Sequence, residues 1–288
     1  MPRHFSLKTG CKINLYLQIL KQRSDGFHLI ESIFYPLARP ADTIDLAETR
    51  GSGLVIRCCP PELESRQNIL YKAFDLYAAA TGFRPGIKLF LHKNIPVGAG
   101  LGGGSSNAAA LLQTLNRIAG SARLTAHKLA ALAACIGADV PFFLCGRPSR
   151  IHGIGDIVSP CAVDLKGLML VLICPGIHVD TSWAYRQWDL WRDSLSPQDL
   201  CLTSQSAKDR GFSFDEKLVL SNSFEKVIFK HFPEIGRIKT DMLINGAAAC
   251  VMSGSGSSLA AFFRDRASAC RACTILERQS IPFYFYNL

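Results

Sequence analysis

Asn94-Ile95-Pro96-Val97-Gly98-Ala99-Gly100-Leu101-Gly102-Gly103-Gly104-Ser105-Ser106-Asn107 is the stretch whose reading decides the fold. Five glycines fall within seven residues, and two serines follow. The text then changes character: Ala108, Leu111, Leu112, Leu115, Ile118 and Ala119 are apolar at helical spacing. Gly120 ends that pattern, as a glycine just past a helix end does. The stretch predicts a glycine loop feeding a helix N-terminus. Without Cβ atoms, backbone N–H groups can converge, and the helix dipole adds partial positive charge. Both features suit a phosphate chain. The alternative is a surface connection in which Ser105 or Ser106 caps the helix.

Gly98, Gly100 and Gly103 match G-x-G-x-x-G, which alone is a weak signal. A dinucleotide site wants an acid about 20 residues on, and no Asp or Glu stands between Asn94 and Ala138. No lysine follows the glycines as in a Walker loop, and the protein-kinase signatures H-R-D and D-F-G are absent. What remains, Pro-x-x-x-Gly-Leu-Gly-Gly-Gly-Ser-Ser-Asn-Ala-Ala from Pro96 to Ala109, resembles the ATP loop of the GHMP small-molecule kinases. The resemblance implies ATP binding by Pro96, Val97, Gly98, Ala99, Gly100, Leu101, Gly102, Gly103, Gly104, Ser105 and Ser106. It implies Mg²⁺ arriving on ATP, with Ser106 as a candidate ligand and the metal site otherwise unassigned.

The chain has 288 residues, 48% of them hydrophobic and 19% charged, which predicts a globular enzyme of one large or two ordinary domains. The apolar run over residues 168–174 is far too short for a membrane span and suits a buried strand. The first residues lack the apolar centre of a signal peptide, which predicts a cytoplasmic protein. The net charge of +9 is spread out, with no Lys/Arg run longer than two, so it reads as a background field favouring anionic ligands rather than a nucleic-acid footprint. Eleven cysteines form no even framework. Cys270-x-x-Cys273 is a lone pair, open to a metal or redox reading, but reduced thiols serving as small hydrophobes fit better.

Residues 11–19 alternate, with Ile13, Leu15, Leu17 and Ile19 on one face and Lys12, Asn14, Tyr16 and Gln18 on the other, which predicts a strand with one buried face. On spacing alone Lys12 belongs to a solvated face. A turn at residues 23–26 and a second strand over 27–35 follow. Residues 51–61 read only as a connection or strand. A helix is predicted over 68–80, capped by Asn68, and a strand over 87–91 leading to Lys93. A further helix spans 124–135 and is closed by Gly137. Asp139 then stands before the short apolar segment 141–144, where it is either an N-cap or a carboxylate placed to accept a proton. Residues 151–165 read as a passage between domains. Beyond it come the strand 168–174, a helix capped by Asp180 or Thr181, a polar irregular segment 194–212, and a strand 247–252. That strand runs into Ser253-Gly254-Ser255-Gly256-Ser257-Ser258, which is either a tight hairpin or a second glycine site.

Lys12-Ile13-Asn14-Leu15, Arg23-x-Asp25-Gly26-Phe27-His28, Asn68-Ile69-Leu70, Lys93-x-Ile95-Pro96, residues 137–143, Pro175-Gly176 and residues 253–256 together resemble the GHMP branch acting on cytidine diphosphate methylerythritol in the non-mevalonate route to isoprenoids. Phe27 stands where that pattern has tyrosine. The resemblance implies an α/β (α+β) fold of two domains, residues 1–157 with the ATP loop and residues 158–288 ferredoxin-like. It implies Asp139 as general base with Lys12 beside it. It adds Asn68 and Lys93 to the ATP set, and Gly254, Ser255 and Gly256 as a second glycine loop. It assigns Asn14, Phe27, His28, Thr181 and Tyr185 to the substrate, with Phe27 and Tyr185 on the faces of the cytosine ring and His28 at its polar edge. The expected partner is a small molecule, without nucleic acid or membrane, in a monomer or weak homodimer. A mevalonate- or homoserine-type acceptor, and a catalytically silent nucleotide- or RNA-binding protein, are the alternatives.

Overall fold

The computed structural model describes residues 3–195 and 220–288. The chain forms two compact units. The first comprises residues 1–13, 19–97 and 101–162, and the second 14–18, 98–100 and 163–288.

The long strands β1 (His4–Gln22) and β2 (His28–Thr49) are neighbours, and all of β1 except residues 14–18 counts with the first unit. β4 (Gly86–His92) pairs antiparallel with β2, and β3 (Gly53–Cys59) pairs parallel with β4. β2 runs past Pro36 and Pro40, well beyond the predicted end at Tyr35. A proline removes one ladder donor but keeps an extended φ, so it does not end a strand whose other groups stay paired. Three helices bury their apolar faces on this sheet. In α1 (Ile69–Thr81) the side chain of Asn68 accepts from Leu70 N–H at 3.0 Å, as predicted, and Gly82 closes the helix at φ +69°. α2 (Gly103–Ile118) and α3 (Ala126–Ile136) complete the layer. Leu70, Phe74 and Tyr77 meet Leu111, Leu112 and Leu115 over Ile87, Leu89 and Leu91. The short α4 (Val140–Cys145) follows Asp139. Residues expected to be a passage between domains instead form a hairpin, β5 (Ser149–His152) and β6 (Ile157–Pro160), with β5 added to β2.

The second unit carries a four-stranded antiparallel sheet in the order β11-β7-β10-β9. Its strands are β7 (Met169–Ile173), β9 (Ala249–Met252), β10 (Leu259–Phe263) and β11 (Phe283–Asn287). After β7 come α5 (Thr181–Asp193), the short β8 (Ser221–Asn222), α6 (Glu225–His231) and α7 (Pro233–Ile244). α8 (Arg266–Arg278) joins β10 to β11. The order 4-1-3-2 of these strands, with helices between the first and second and between the third and fourth, is the ferredoxin-like arrangement the sequence implied. Asp180, not Thr181, caps α5 through Trp183 N–H at 2.7 Å. Residues 196–212 of the expected polar segment lie outside the described residues. Cys270 and Cys273 lie on α8, where burial pushes the Cys273 thiol up to about 11, poor for a thiolate ligand or nucleophile.

Candidate active site

In the first unit α2 begins at Gly103, so Ser105 and Ser106 lie inside its first turn and neither is its N-cap. Gly102 is the cap, at φ +71°, with no side-chain hydrogen bond to the turn. The capping alternative therefore fails. A helix opened by three glycines with no side-chain cap presents its first N–H groups to an anion. Gly104 is exposed, and a Cβ there would find its nearest neighbour at 3.7 Å, so this face of the turn is open.

Lys12 does not lie on a solvated strand face. β1 is buried on both faces here, with Lys12 3% and Asn14 0% exposed. Alternation cannot distinguish a polar residue facing water from one facing a buried site. Lys12 N–H donates to Leu101 O at 2.9 Å, tying the strand to the glycine run. Its Nζ lies 3.6 Å from Asp139 Oδ2 and 4.4 Å from the centre of the Phe34 ring. A Cβ on Gly102 would stand 3.2 Å from Lys12 Cγ, so the ammonium stem runs beside the start of α2. Burial pulls the Lys12 ammonium below the ordinary lysine range, and the Asp139 carboxylate opposes that pull. Asp139 makes no capping bond to α4, and Val140 N–H turns back to Gly137 O at 3.1 Å. Its carboxylate is 29% exposed and faces the lysine. Of the two local readings of Asp139, capping is the one the geometry removes.

The turn before β2 presents Phe27. Arg23 N–H donates to Phe27 O at 2.7 Å, Phe27 N–H to Asp25 Oδ1 at 3.2 Å, and Gly26 adopts φ +86°. Phe27 is thereby 58% exposed, while His28 beside it is buried at the start of β2. Asn68 spends its carboxamide on protein, since its Nδ2 also donates to Leu63 O at 2.9 Å. Lys93 is likewise engaged: its side chain is only 7% exposed, pairs with the Asp42 carboxylate, and lies 3.3 Å from Asn107 Oδ1.

Within the second unit, residues 98–100 and the 253–258 turn form one structure. Ser253 Oγ donates to Gly100 O at 2.9 Å, and Ser258 N–H to Ala99 O at 3.3 Å. A Cβ on Gly100, at φ +75°, would stand 1.9 Å from Ser253 O, so only glycine fits. Asn14 Oδ1 accepts from Gly254 N–H at 2.8 Å. Asn222, which local sequence did not single out, donates to both Met252 O and Gly254 O at 2.7 Å. The turn joins β9 to β10, so it is a hairpin as well as a glycine turn. Thr181 Oγ1 lies 2.9 Å from Ser255 Oγ, and Tyr185 stacks edge-on against Phe224 with ring centres 4.9 Å apart.

Known proteins match this chain along its whole length. The model of the GHMP kinases N terminal domain matches residues 68–147, and that of the GHMP kinases C terminal domain residues 213–280. The 4-diphosphocytidyl-2-C-methyl-D-erythritol kinase of Nitratidesulfovibrio vulgaris (strain Hildenborough) is 43% identical over 98% of each chain. The chain belongs to the 4-diphosphocytidyl-2-C-methyl-D-erythritol kinases of the GHMP family. A homologue of the same name from Geobacter sulfurreducens is 33% identical over 96% of each chain. A crystal structure of 4-(cytidine 5'-diphospho)-2C-methyl-D-erythritol kinase superposes with a TM-score of 0.76 at 31% identity, covering 98% of each chain. A homoserine kinase from Cytophaga hutchinsonii shares the fold, with a TM-score of 0.63 at 19% identity over 98% of this chain and 93% of its own. The kinase uses ATP, as the family does, and the two-domain α/β reading of the sequence holds. Among the described residues no helix is long and apolar enough to cross a membrane.

Proposed function

We propose that the kinase transfers the γ-phosphoryl group of ATP to the 2-hydroxyl of 4-diphosphocytidyl-2-C-methyl-D-erythritol, with Asp139 taking the hydroxyl proton. The observation that carries this reading is the pairing of Asp139, freed from capping, with the buried Lys12 at 3.6 Å. A carboxylate within reach of an alcohol accepts its proton as the O–P bond forms. Lys12 holds the carboxylate in place and stabilises the charge that develops on the attacking oxygen and the transferring group. The N–H groups opening α2 bind the phosphate oxygens, and the burial of Lys12 strengthens its own field beside them.

Mg²⁺, when bound, would neutralise charge on the phosphates, and Ser106 is the residue of this chain that would help hold it. The donor set suits an ion carried in on the nucleotide. Among the described residues no group of three His, Cys, Asp or Glu could hold a metal, and Ser106 in the first turn of α2 offers a hard oxygen. Phe27 and His28 are read as the cytosine contacts of the first unit: an exposed ring for stacking and an imidazole that can both donate and accept. Tyr185 is proposed as the second stacking ring on the strength of its motif position.

Coupled ADP release measured across hydroxyl acceptors tests the reading. Turnover is expected with the cytidine diphosphate acceptor and not with homoserine or mevalonate. Equal rates on all three would overturn it.

A further inference from the structure

We propose that Asp42, on β2, is the positioning residue of the nucleotide loop: its buried carboxylate holds the chain on both sides of the glycine run and so sets where the phosphates are received. Asp42 is 0% exposed. Its Oδ1 accepts N–H bonds from Asn94 at 2.8 Å and Ile95 at 2.9 Å, just before the glycines. Its Oδ2 accepts from Asn107 Nδ2 at 2.9 Å and pairs with Lys93 Nζ. Asn107 lies inside α2, one turn beyond the glycines. The same Asn107 amide donates to Thr9 Oγ1 at 2.7 Å, and Asn94 Nδ2 donates to Ala41 O at 3.0 Å. One carboxylate therefore accepts from four donors, three of them before the run and one after it.

Such an arrangement is costly unless complete, because a carboxylate and an ammonium have both been taken out of water. A surface connection needs nothing of the kind. Its effect is to fix the separation of two chain segments that a glycine-rich run leaves free to wander. The restraint reaches the phosphate end through packing: a Cβ on Gly103, the first residue of α2, would stand 2.9 Å from Ile95 Cγ2 and 3.0 Å from Lys93 Nζ. The helix start thus sits directly on the segment that Asp42 ties down. Asp42 touches no substrate in this scheme and acts through residues 93–95 and Asn107.

This inference rests on reading residues 93–107 as the ATP loop, and the two fail differently. Calorimetric titration of the wild-type kinase with MgATP comes first, and absence of binding would sink the loop reading itself. Asp42→Asn and Asn107→Leu are then compared with wild type by steady-state kinetics and thermal melting. The first removes the charge at nearly constant volume. The second removes the tether beyond the glycines, together with the Asn107 bonds to Thr9 and Lys93, and leaves the Asp42 bonds to residues 93–95 in place. The KM for ATP is expected to rise about tenfold or more in Asp42→Asn, as for loss of a charge-assisted hydrogen-bond set. A smaller rise is expected in Asn107→Leu. The KM for the acceptor is expected to stay within about twofold, because uniform loss of nucleotide binding leaves the second substrate alone. A role in folding only would lower the melting temperature and the active fraction while leaving both KM values in place, and that result overturns the proposal. Both KM values rising together would overturn it as well. If Asp42→Asn does not fold, Asn107→Leu decides by the same criterion. Failure of both to fold would assign Asp42 to folding alone.

Discussion

Asp139→Asn separates catalysis from architecture. The substitution keeps shape and removes the ability to accept a proton. It costs no helix cap, because Asp139 makes no capping bond to α4. It does break a charge pair. At 3.6 Å and an effective dielectric constant of about 20, two unit charges attract by about 4–5 kcal/mol. That gross figure overstates the net loss. The Asp139 side chain is 29% exposed, so solvent already screens it. Lys12 keeps the Phe34 ring at 4.4 Å, a contact worth about 0.5–2 kcal/mol. Burial pulls the Lys12 ammonium below the ordinary lysine range and Asp139 opposes that pull, so losing Asp139 lowers it further and softens the cost of the unpaired charge. The expected net destabilisation is about 1–3 kcal/mol, below the ~3–5 kcal/mol of a fully buried broken pair. For a chain of this size each kcal/mol moves the melting temperature by about 2–4 °C. Loss of a general base costs about 10²–10⁴ in turnover, equivalent to ~2.7–5.4 kcal/mol of barrier. Turnover by coupled ADP release and melting by calorimetry, on the same preparation, therefore give different answers. A folded variant should have lost at least about a hundredfold in kcat. Wild-type kcat in a folded Asp139→Asn would refute the assignment, and activity falling only in step with the folded fraction would make Asp139 structural.

Lys12→Met should flatten the alkaline limb of stability: the folded pKa of Lys12 lies below its unfolded value, so the native state binds fewer protons and stability rises with pH from the lowered value up to the ordinary lysine value. Melting against pH that keeps the wild-type slope in the variant would contradict the burial argument. Gly100→Ala places a Cβ 1.9 Å from Ser253 O at φ +75° and should lower stability by at least about 1–2 kcal/mol. Gly104→Ala, with nothing nearer than 3.7 Å, should instead raise stability by up to ~1 kcal/mol. Equal melting temperatures for the pair would show that the loop relaxes freely. His28→Ala should reduce kcat/KM for the cytidine acceptor and shrink its preference over the uridine analogue, since the wrong base leaves polar groups unpaired. An unchanged ratio would remove His28 from base recognition.

The parts of this kinase that were legible in sequence are those whose signal is local. The glycine run, the cap at Asn68, the helical spacing after Asn107 and the alternation of β1 all follow from neighbours within a few residues. The 4-1-3-2 sheet was reached by resemblance, because strand order depends on pairings such as β7 with β10 that no short window contains. β2 runs on to Thr49 rather than ending at Tyr35, because pairing with β4 carries it past Pro36 and Pro40, and the four-residue strands β5 and β6 give too short an alternation to be read locally.

Within the site, the residues that bear chemistry stood inside motifs, whereas those that hold them in place did not. Asp42 precedes Thr43-Ile44 and reads locally as an acid beside a strand, yet its partners lie some fifty positions later at Lys93, Asn94 and Ile95. Asn222 reads as a loop asparagine, and its partners are the carbonyls of Met252 and Gly254. A side-chain hydrogen bond that fixes a glycine run has to come from outside it, because glycine has no side chain to offer. The loop's own sequence reports where a phosphate can approach, and its rigidity is written in distant Asp and Asn residues with no spacing rule to betray them. The same division explains Lys12. Its alternation reads as a wet face, and only the burial of both sides of β1 turns that lysine into the counter-charge of Asp139.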